Sequence, residues 1–201
     1  MAKGEAATAG GVPGHGGRAR RADAERTVLT ILEAAEQVLS RNPTATMEQI
    51  AEAAGVARTT VHRRFASREA LVDAMTAWAT RQFGAAVDAA HSSTAPPLVV
   101  LHQVTANVLR IKIDWGFAMG RASEGDPEVA RVHAAVLDKC DQMFRRAQEA
   151  GVLRADADLS WTRRVYYALI HEAARSEGDA DTLAVRVLDT LFRGVGTDRV
   201  R

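Results

Sequence analysis

Apolar residues recur at three- and four-residue steps along most of this 201-residue chain, and the strict alternation typical of β-strands is nearly absent. Such spacing predicts amphipathic helices that bury one face. The first clear apolar stripe runs from Val28 to Leu39, whereas the stretch from Gly116 to Gly125 is ambiguous between a short helix and a loop. The chain is therefore predicted to be all-α. Later stripes predict helices over 98–114, 127–149, 159–176 and 182–193.

Capping and turn signals delimit the helices near the N-terminus. Pro43 ends the first helix, and residues 46–49 form the capping-box pattern that opens a short second helix through Ala54. Gly55 supplies a tight turn, because glycine enters the left-handed backbone region without steric cost. These signals predict two short helices joined at Gly55.

The second of those short helices carries an apolar face and a polar, basic face. It is predicted from about residue 57 to residue 65, and Ser67 is placed to cap a long fourth helix. Val61 and Phe65 fall on the side that faces the first two helices, which gives the outline of a helix-turn-helix. The residues expected on its outer surface are Arg58, Thr59, Thr60, His62 and Arg63.

These outward residue types suit contact with DNA. Arginine bonds a guanine edge with two parallel donors, and threonine offers a hydroxyl and a methyl group to thymine. Histidine and arginine also donate to phosphate oxygens. The formal net charge of the whole chain is only +1, which excludes a globally basic nucleic-acid coat. Residues 1–68, however, contain ten basic and seven acidic residues, so DNA affinity has to come from local placement of charge.

The segment from Thr46 to Leu71 resembles the DNA-binding region of TetR-family transcriptional regulators. The matching features are the capped helix, the Ala-Gly-Val turn, the Thr-Val-x-x-x-Phe recognition helix and the Ser-Arg-Glu-Ala-Leu opening of helix four. The resemblance implies a three-helix helix-turn-helix domain over 23–68 and a helical bundle for regulation and dimerisation over 69–201. It further implies a homodimeric, sequence-specific repressor of transcription that binds double-stranded DNA at an inverted-repeat operator and leaves it when a small-molecule effector binds.

The resemblance also assigns roles to individual residues. It implies that Thr46 and Arg68 contact phosphates at helix starts, while Arg58, Thr59, Thr60 and Arg63 approach bases or the adjoining backbone. His62 stands where the family usually has a tyrosine that contacts phosphate, and Arg64 replaces a common histidine. An imidazole still donates at position 62, with a charge that changes near neutral pH.

Two further sets of residues are expected in the C-terminal domain. The last two helices of each subunit would pair across a dimer, although the same apolar residues could serve only the monomer core. The interface candidates are Trp161, Val165, Leu169, Leu183, Val187 and Leu191. Apolar and aromatic residues with a few polar groups are typical of ligand pockets and equally typical of plain core. The pocket candidates are Trp78, His102, Trp115, Phe117, Met119, Cys140, Met143, Phe144, Tyr166 and His171.

Residues 1–22 are rich in glycine and alanine, and they contain almost no large apolar side chain. Burial cannot offset the entropy of ordering such a segment, so it is predicted to be disordered. It ends in Arg18, Arg20 and Arg21, which fit either a solubilising tail or a basic arm that touches DNA.

Other functional classes find little support in the sequence. Cys140 is the single cysteine, so no internal disulfide or cysteine-based zinc site can form, and no nucleophile motif surrounds it although His102, His133 and His171 could act as bases. No close pair of histidines, glycine-rich phosphate loop, secretory signal or long apolar span is evident. We therefore expect a cytoplasmic protein that is not an enzyme, needs no cofactor or metal and has no membrane partner.

Two alternatives to an effector-responsive regulator stay open on the sequence alone. A DNA-binding protein without ligand sensing predicts a fully packed C-terminal domain. A helical protein-interaction module predicts no salt-dependent binding to DNA.

Overall fold

A computed structural model describes residues 15–91, 94–122 and 125–195, and these residues form helices with no β-strand among them. The all-α prediction is confirmed. The nine helices of the described residues are α1 (His15–Arg41), α2 (Met47–Ala53), α3 (Arg58–Arg64), α4 (Arg68–His91), α5 (Pro97–Asp114), α6 (Gly116–Arg121), α7 (Pro127–Glu149), α8 (Leu159–Ala173) and α9 (Ala180–Val195).

The N-terminal segment differs from its prediction. Helix α1 begins at His15, so residues 15–22, for which disorder was expected, are helical in the structure, while residues 1–14 lie outside the described part of the chain. Alanine and arginine are strong helix formers, and they extend the helix outward from the packed portion of α1 without needing burial of their own. Arg18, Arg20 and Arg21 are consequently exposed on the first turns of α1.

Two helix boundaries in the C-terminal half also depend on tertiary packing. The ambiguous stretch after α5 contains the six-residue helix α6, which packs against α1, α4 and α5. Helix α8 ends at Ala173, three residues before its predicted end, and α9 begins at Ala180. A short helix with few intrinsic signals is stabilised mainly by such packing, which periodicity alone cannot show.

The helix-turn-helix forms as predicted. Thr46 and Gln49 make a reciprocal capping box, in which the Gln49 amide donates to the Thr46 hydroxyl at 3.3 Å and the Thr46 amide donates to Gln49 Oε1 at 2.9 Å. Gly55 has a φ angle of 65° in the turn that follows α2. Ile50 and Val61, from the two short helices, are fully buried against α1 and α4.

The chain has two hydrophobic cores, and α4 belongs to both. The N-terminal core joins α1–α3 to the first three turns of α4, from Leu71 to Ala79, and to Trp115 and Ala118 at the start of α6. The C-terminal core joins Val87, near the end of α4, to α5, α7, α8 and α9. The N-terminal core therefore extends beyond the domain boundary expected at residue 68. None of the described helices has the length and apolar character required to cross a membrane.

Candidate functional site

Helix α3 presents a polar face to solvent and anchors itself by two apolar side chains. Val61 is fully buried, and Phe65 at the C-terminal end of the helix is 7% exposed. The outer face, here called the α3 surface, consists of Arg58, Thr59, Thr60, His62, Arg63 and Arg64. All of these side chains are exposed except Thr60, which is half-buried. The structure thus exposes four of the five residues expected on this surface, and their contact with DNA stays a prediction.

Arg58 is held by an acidic partner from the neighbouring helix. Its Nη2 lies 2.7 Å from Glu48 Oε1, and its Nε donates to His62 Nε2 at 3.4 Å. Hydrogen bonds from the Glu48 amide and the Thr46 hydroxyl lower the pKa of the Glu48 carboxyl, and the charge of Arg58 lowers it further. Both partners are largely exposed, so the pair is readily exchanged for another anion.

The two helix-start residues assigned to phosphate contact make intramolecular bonds. The Thr46 hydroxyl accepts the Gln49 amide within the capping box. The Arg68 guanidinium donates to the Ala45 carbonyl at 3.2 Å and also to the Pro43 carbonyl. Arg68 thus ties the start of α4 to the α1–α2 connection, and its phosphate contact stays a prediction.

A buried carboxylate joins the helix-turn-helix to the rest of the chain. Glu36 on α1 is 4% exposed, and its two carboxylate oxygens accept the amides of Phe117 at 2.7 Å and Ala118 at 3.0 Å. These are amides of the first turn of α6, which have no partner within that helix. The Ser40 hydroxyl donates to the same carboxylate at 3.1 Å. These hydrogen bonds therefore link the position of α6 directly to that of α1.

The regulatory half contains a cavity of about 400 Å³ between four helices. Its wall is largely apolar. The lining residues are Phe83 and Val87 of α4, Val104, Val108 and Lys112 of α5, His133, Val136, Leu137 and Cys140 of α7, and Tyr166, Tyr167, Ile170 and His171 of α8. Leu137 and His171 are exposed, which places the mouth of the cavity beside them. A volume of this size lies within the range of small-molecule sites.

Burial perturbs the polar groups of the cavity wall. It lowers the pKa of the Lys112 ammonium and raises the pKa of the Cys140 thiol. It also raises the pKa values of both Tyr166 and Tyr167. The Tyr166 hydroxyl is satisfied, because it lies 2.8 Å from the Thr105 hydroxyl.

Tyr167 differs from its neighbour in lacking a strong hydrogen-bond partner. Its hydroxyl is buried next to the Cys140 thiol, which is a weak hydrogen-bonding group, and no stronger partner reaches it within the described part of the chain. Cys140 and the two tyrosines therefore remain neutral at physiological pH.

Three of the ten pocket candidates line this cavity: Cys140, Tyr166 and His171. His102 on α5 is half-buried and does not line it. The other six candidates lie in or against the two cores and do not line this cavity. Trp78, Trp115, Phe117 and Met119 belong to the N-terminal core, and Met143 and Phe144 belong to the C-terminal core.

The four candidates at the N-terminal core lie away from the cavity because α6 folds back onto α1 and α4. The Trp78 and Trp115 rings meet at this contact, with centroids 4.2 Å apart and ring planes tilted by 39°. Sequence reasoning missed the other ten lining residues, among them Phe83, Lys112 and Tyr167. One signal was available, since Lys112 continues the stripe of Val104 and Val108 at four-residue steps and places a charge on an apolar line.

The dimer candidates also divide between surface and core. Leu183, Val187 and Leu191 are buried in the C-terminal core of the single chain, as the monomer-core alternative expects, and their part in a dimer interface stays a prediction. They form the apolar stripe of α9, and this stripe faces α5 and α8 of the same chain. On α8, Trp161 is 57% exposed and Val165 and Leu169 are half-buried. On the outer side of α9, Val185 is 57% exposed.

Metal-binding chemistry has no visible basis in the described ranges, where no three His, Cys, Asp or Glu side chains gather as a metal would require. The geometry instead places a basic, outward-facing α3 surface on a helix-turn-helix, with an apolar cavity behind it. Together these features define a helix-turn-helix transcription regulator.

Comparison with known proteins identifies the family. Residues 31–75 match the family model described as "Bacterial regulatory proteins, tetR family". The chain is 32% identical, over 86% of its length and 92% of the relative's, to the transcriptional repressor LfrR of Mycolicibacterium smegmatis. It is 26% identical, over 81% of its length and 90% of the relative's, to the transcriptional regulator NfxB of Pseudomonas aeruginosa. The chain belongs to the TetR family, which confirms the resemblance inferred from its sequence.

Solved structures agree with this assignment. The crystal structure of LfrR in complex with proflavine matches with a TM-score of 0.59 and 28% identity, covering 86% of this chain and 98% of that one. PfmR of Thermus thermophilus, a TetR-family regulator, matches with a TM-score of 0.68 over 82% of this chain and 97% of that one. Its identity is 18%, so this second likeness concerns the fold.

Proposed function

We propose that the protein is a homodimeric repressor that binds an inverted-repeat operator through its α3 surface and is released when a small molecule enters the cavity. One observation carries the proposal: α4 packs against the helix-turn-helix at one end and lines the cavity at the other. A ligand that displaces Phe83 or Val87 therefore acts on the same continuous helix that packs against the helix-turn-helix.

Dimerisation follows from the limited reach of one short helix. A seven-residue α3 reads too few base pairs for selectivity, and two copies about 34 Å apart reach successive major grooves. The exposed apolar side chains of α8 and α9, Trp161 and Val185, favour these helices as the contact between subunits. The Arg164 guanidinium lies 5.3 Å from the Trp161 ring centre and covers part of that apolar surface in the single chain.

The α3 surface has to exchange one contact on binding DNA. Arg58 pairs with Glu48 in the free chain, and a guanine edge or a phosphate would replace that carboxylate. Thr59, Thr60, His62 and Arg63 would approach the bases and the adjoining backbone. The exposed Arg18, Arg20 and Arg21 of α1 favour the basic-arm interpretation of the N-terminal segment, in which they add phosphate contacts.

Release requires the ligand to bind more tightly to a form of the dimer in which the two α3 helices no longer fit successive major grooves. Two routes connect the cavity to that form. The first is α4, and the second runs from α5 through α6 to Glu36. The ligand has to favour the released form by a coupling energy typically of about 1–3 kcal/mol.

The experiment combines operator selection with ligand titration. Fragments selected from random or genomic DNA should contain an inverted repeat, and fluorescence anisotropy should show two subunits bound to each site. Arg58→Ala should reduce discrimination among sequences, whereas Arg68→Ala should weaken binding to all DNA similarly. Equal affinity for the selected and the scrambled DNA would contradict sequence-specific binding. Tight cavity ligands that leave DNA affinity unchanged would contradict effector release.

A further inference from the structure

We propose that the effector cavity selects acidic ligands: a largely apolar molecule with one carboxylate or equivalent anion, paired with the Lys112 ammonium. This inference rests on the proposed function in taking the cavity as the effector site. It concerns the charge of the ligand, which the general architecture leaves undetermined.

The position of Lys112 carries the inference. It follows Val104 and Val108 at four-residue steps along α5, and all three residues line the cavity. The side chain is half-buried, and it has no ion pair or hydrogen bond within the described ranges. A half-buried ammonium group at an apolar wall with no counter-ion loses part of its hydration without compensation. A bound anion would supply the missing partner.

No acidic group of the wall competes for that role. The lining contains no Asp or Glu, and its remaining ionisable groups are two histidines, one thiol and two phenols. Burial keeps the Cys140 thiol and the phenols protonated. Asp141, which follows Cys140 on α7, is bonded to Arg163 at 2.5 Å. The fixed charge of the cavity is therefore positive.

A hydroxyl donor is available for the same ligand. The Tyr167 hydroxyl is buried at the wall beside the weakly bonding Cys140 thiol, so its hydrogen is free for a stronger acceptor. A carboxylate or a polar oxygen of the ligand would satisfy it. Lys112 on α5 and Tyr167 on α8 would then hold the polar part of the ligand, while the valines and Phe83 contact its apolar part.

The same wall disfavours a cation. Proflavine, which is bound in the crystal structure of LfrR, is a planar aminoacridine that is cationic at neutral pH. In the present cavity, a cation would lie near Lys112 with no carboxylate to balance either charge. We therefore expect this chain to reject such compounds despite its sequence similarity to that relative.

The test compares ligands that share one skeleton and differ in charge. Isothermal titration at pH 7 measures binding of 4-phenylbutyrate, 4-phenylbutan-1-ol and 4-phenylbutylammonium, together with the corresponding acid, alcohol and amine of naphthalene and decane. The acids should bind at least about tenfold more tightly than the matched alcohols, and the ammonium compounds should bind weakest. Proflavine serves as an additional cationic probe.

Variants assign the preference to one side chain. Lys112→Met should bring acid affinity down to that of the alcohol, and Lys112→Arg should keep the preference for the acid. Lys139→Met is the matched control, because that ammonium pairs with Asp88 outside the cavity and does not line it. Thermal melts and operator binding of each variant report whether the fold and the α3 surface are intact.

Several outcomes would overturn the charge assignment: acids that bind no better than alcohols, ammonium compounds that bind best, failure of every acid to bind, or an unchanged preference in Lys112→Met. None of these outcomes bears on whether the protein binds its operator. Failure of the proposed function would be distinct, since acids would then bind with the predicted preference while operator affinity stayed constant.

Discussion

Removing the Glu36 carboxylate should measurably destabilise the chain and loosen the link between its two cores. In Glu36→Ala, the amides of Phe117 and Ala118 lose their acceptors, at present 2.7 and 3.0 Å away. A hydrogen bond to a charged group contributes about 1.5–3 kcal/mol net, so two of them set an upper range of about 3–6 kcal/mol. A solvent-open hollow lined by Glu36 and Trp115 lets water replace part of that loss. We expect a decrease of about 2–4 kcal/mol in the free energy of unfolding.

The assay is urea denaturation followed by circular dichroism, with the melting temperature as a second readout. For a chain of this size the expected loss corresponds to a melting temperature lower by about 4–16 °C. Glu36→Gln should cost about half as much, because the amide keeps one acceptor oxygen. Glu33→Ala is the matched control, since Glu33 is exposed on the same helix and should change stability by less than about 0.5 kcal/mol.

Two results would refute this reasoning. If Glu36→Ala and Glu33→Ala were equally stable, the carboxylate would not stabilise the α1–α6 contact. If Glu36→Ala lost stability as expected and a cavity ligand still released it from the operator as it releases the parent chain, α6 would not transmit the ligand signal to α1.

Other predictions concern DNA reading, the core and the cavity. Arg58→Ala should lose about 1–3 kcal/mol of discrimination between operator and scrambled DNA in anisotropy titrations, while Arg64→Ala should weaken binding to both DNAs alike. Equal discrimination in the two variants would argue against base contact by Arg58. Leu183→Ala should lower the urea-measured free energy of unfolding by about 2–5 kcal/mol, because this side chain is fully buried, whereas Val185→Ala should change it little and instead weaken self-association in sedimentation experiments. Burial raises the pKa of Cys140, so its reaction with a disulfide reagent at pH 8 should be much slower than in the unfolded chain and slower again with a cavity ligand; rapid native-state labelling would contradict this wall position.

Local signals fixed the DNA-binding half of the fold. The capping box at Thr46 and Gln49, the glycine turn at Gly55 and the apolar anchors Val61 and Phe65 all act within about twenty residues of one another. Each is a short-range constraint that a single sequence displays directly. The outward direction of the α3 surface follows from them, because anchoring one face of a short helix exposes the other.

The residues that line the cavity could be predicted only in part from the sequence. Whether an aromatic residue such as Trp115 contacts a ligand or another helix depends on which helices meet, and here α6 turns back onto α1 and α4. The α9 stripe of Leu183, Val187 and Leu191 illustrates the same ambiguity, since a core and a dimer interface require identical apolar periodicity. The burial of these side chains in the single folded chain places the stripe in its core.

By itself, the sequence determined the all-α class, the helix-turn-helix and the residues of the α3 surface, because caps, turns and short-range periodicity are local. Only the tertiary structure placed Lys112 among the valines of a cavity, Glu36 at the amides of α6 and α4 in both cores. These arrangements join residues that are distant in the chain, and long-range contacts depend on how complete helices pack rather than on the pattern of any one of them.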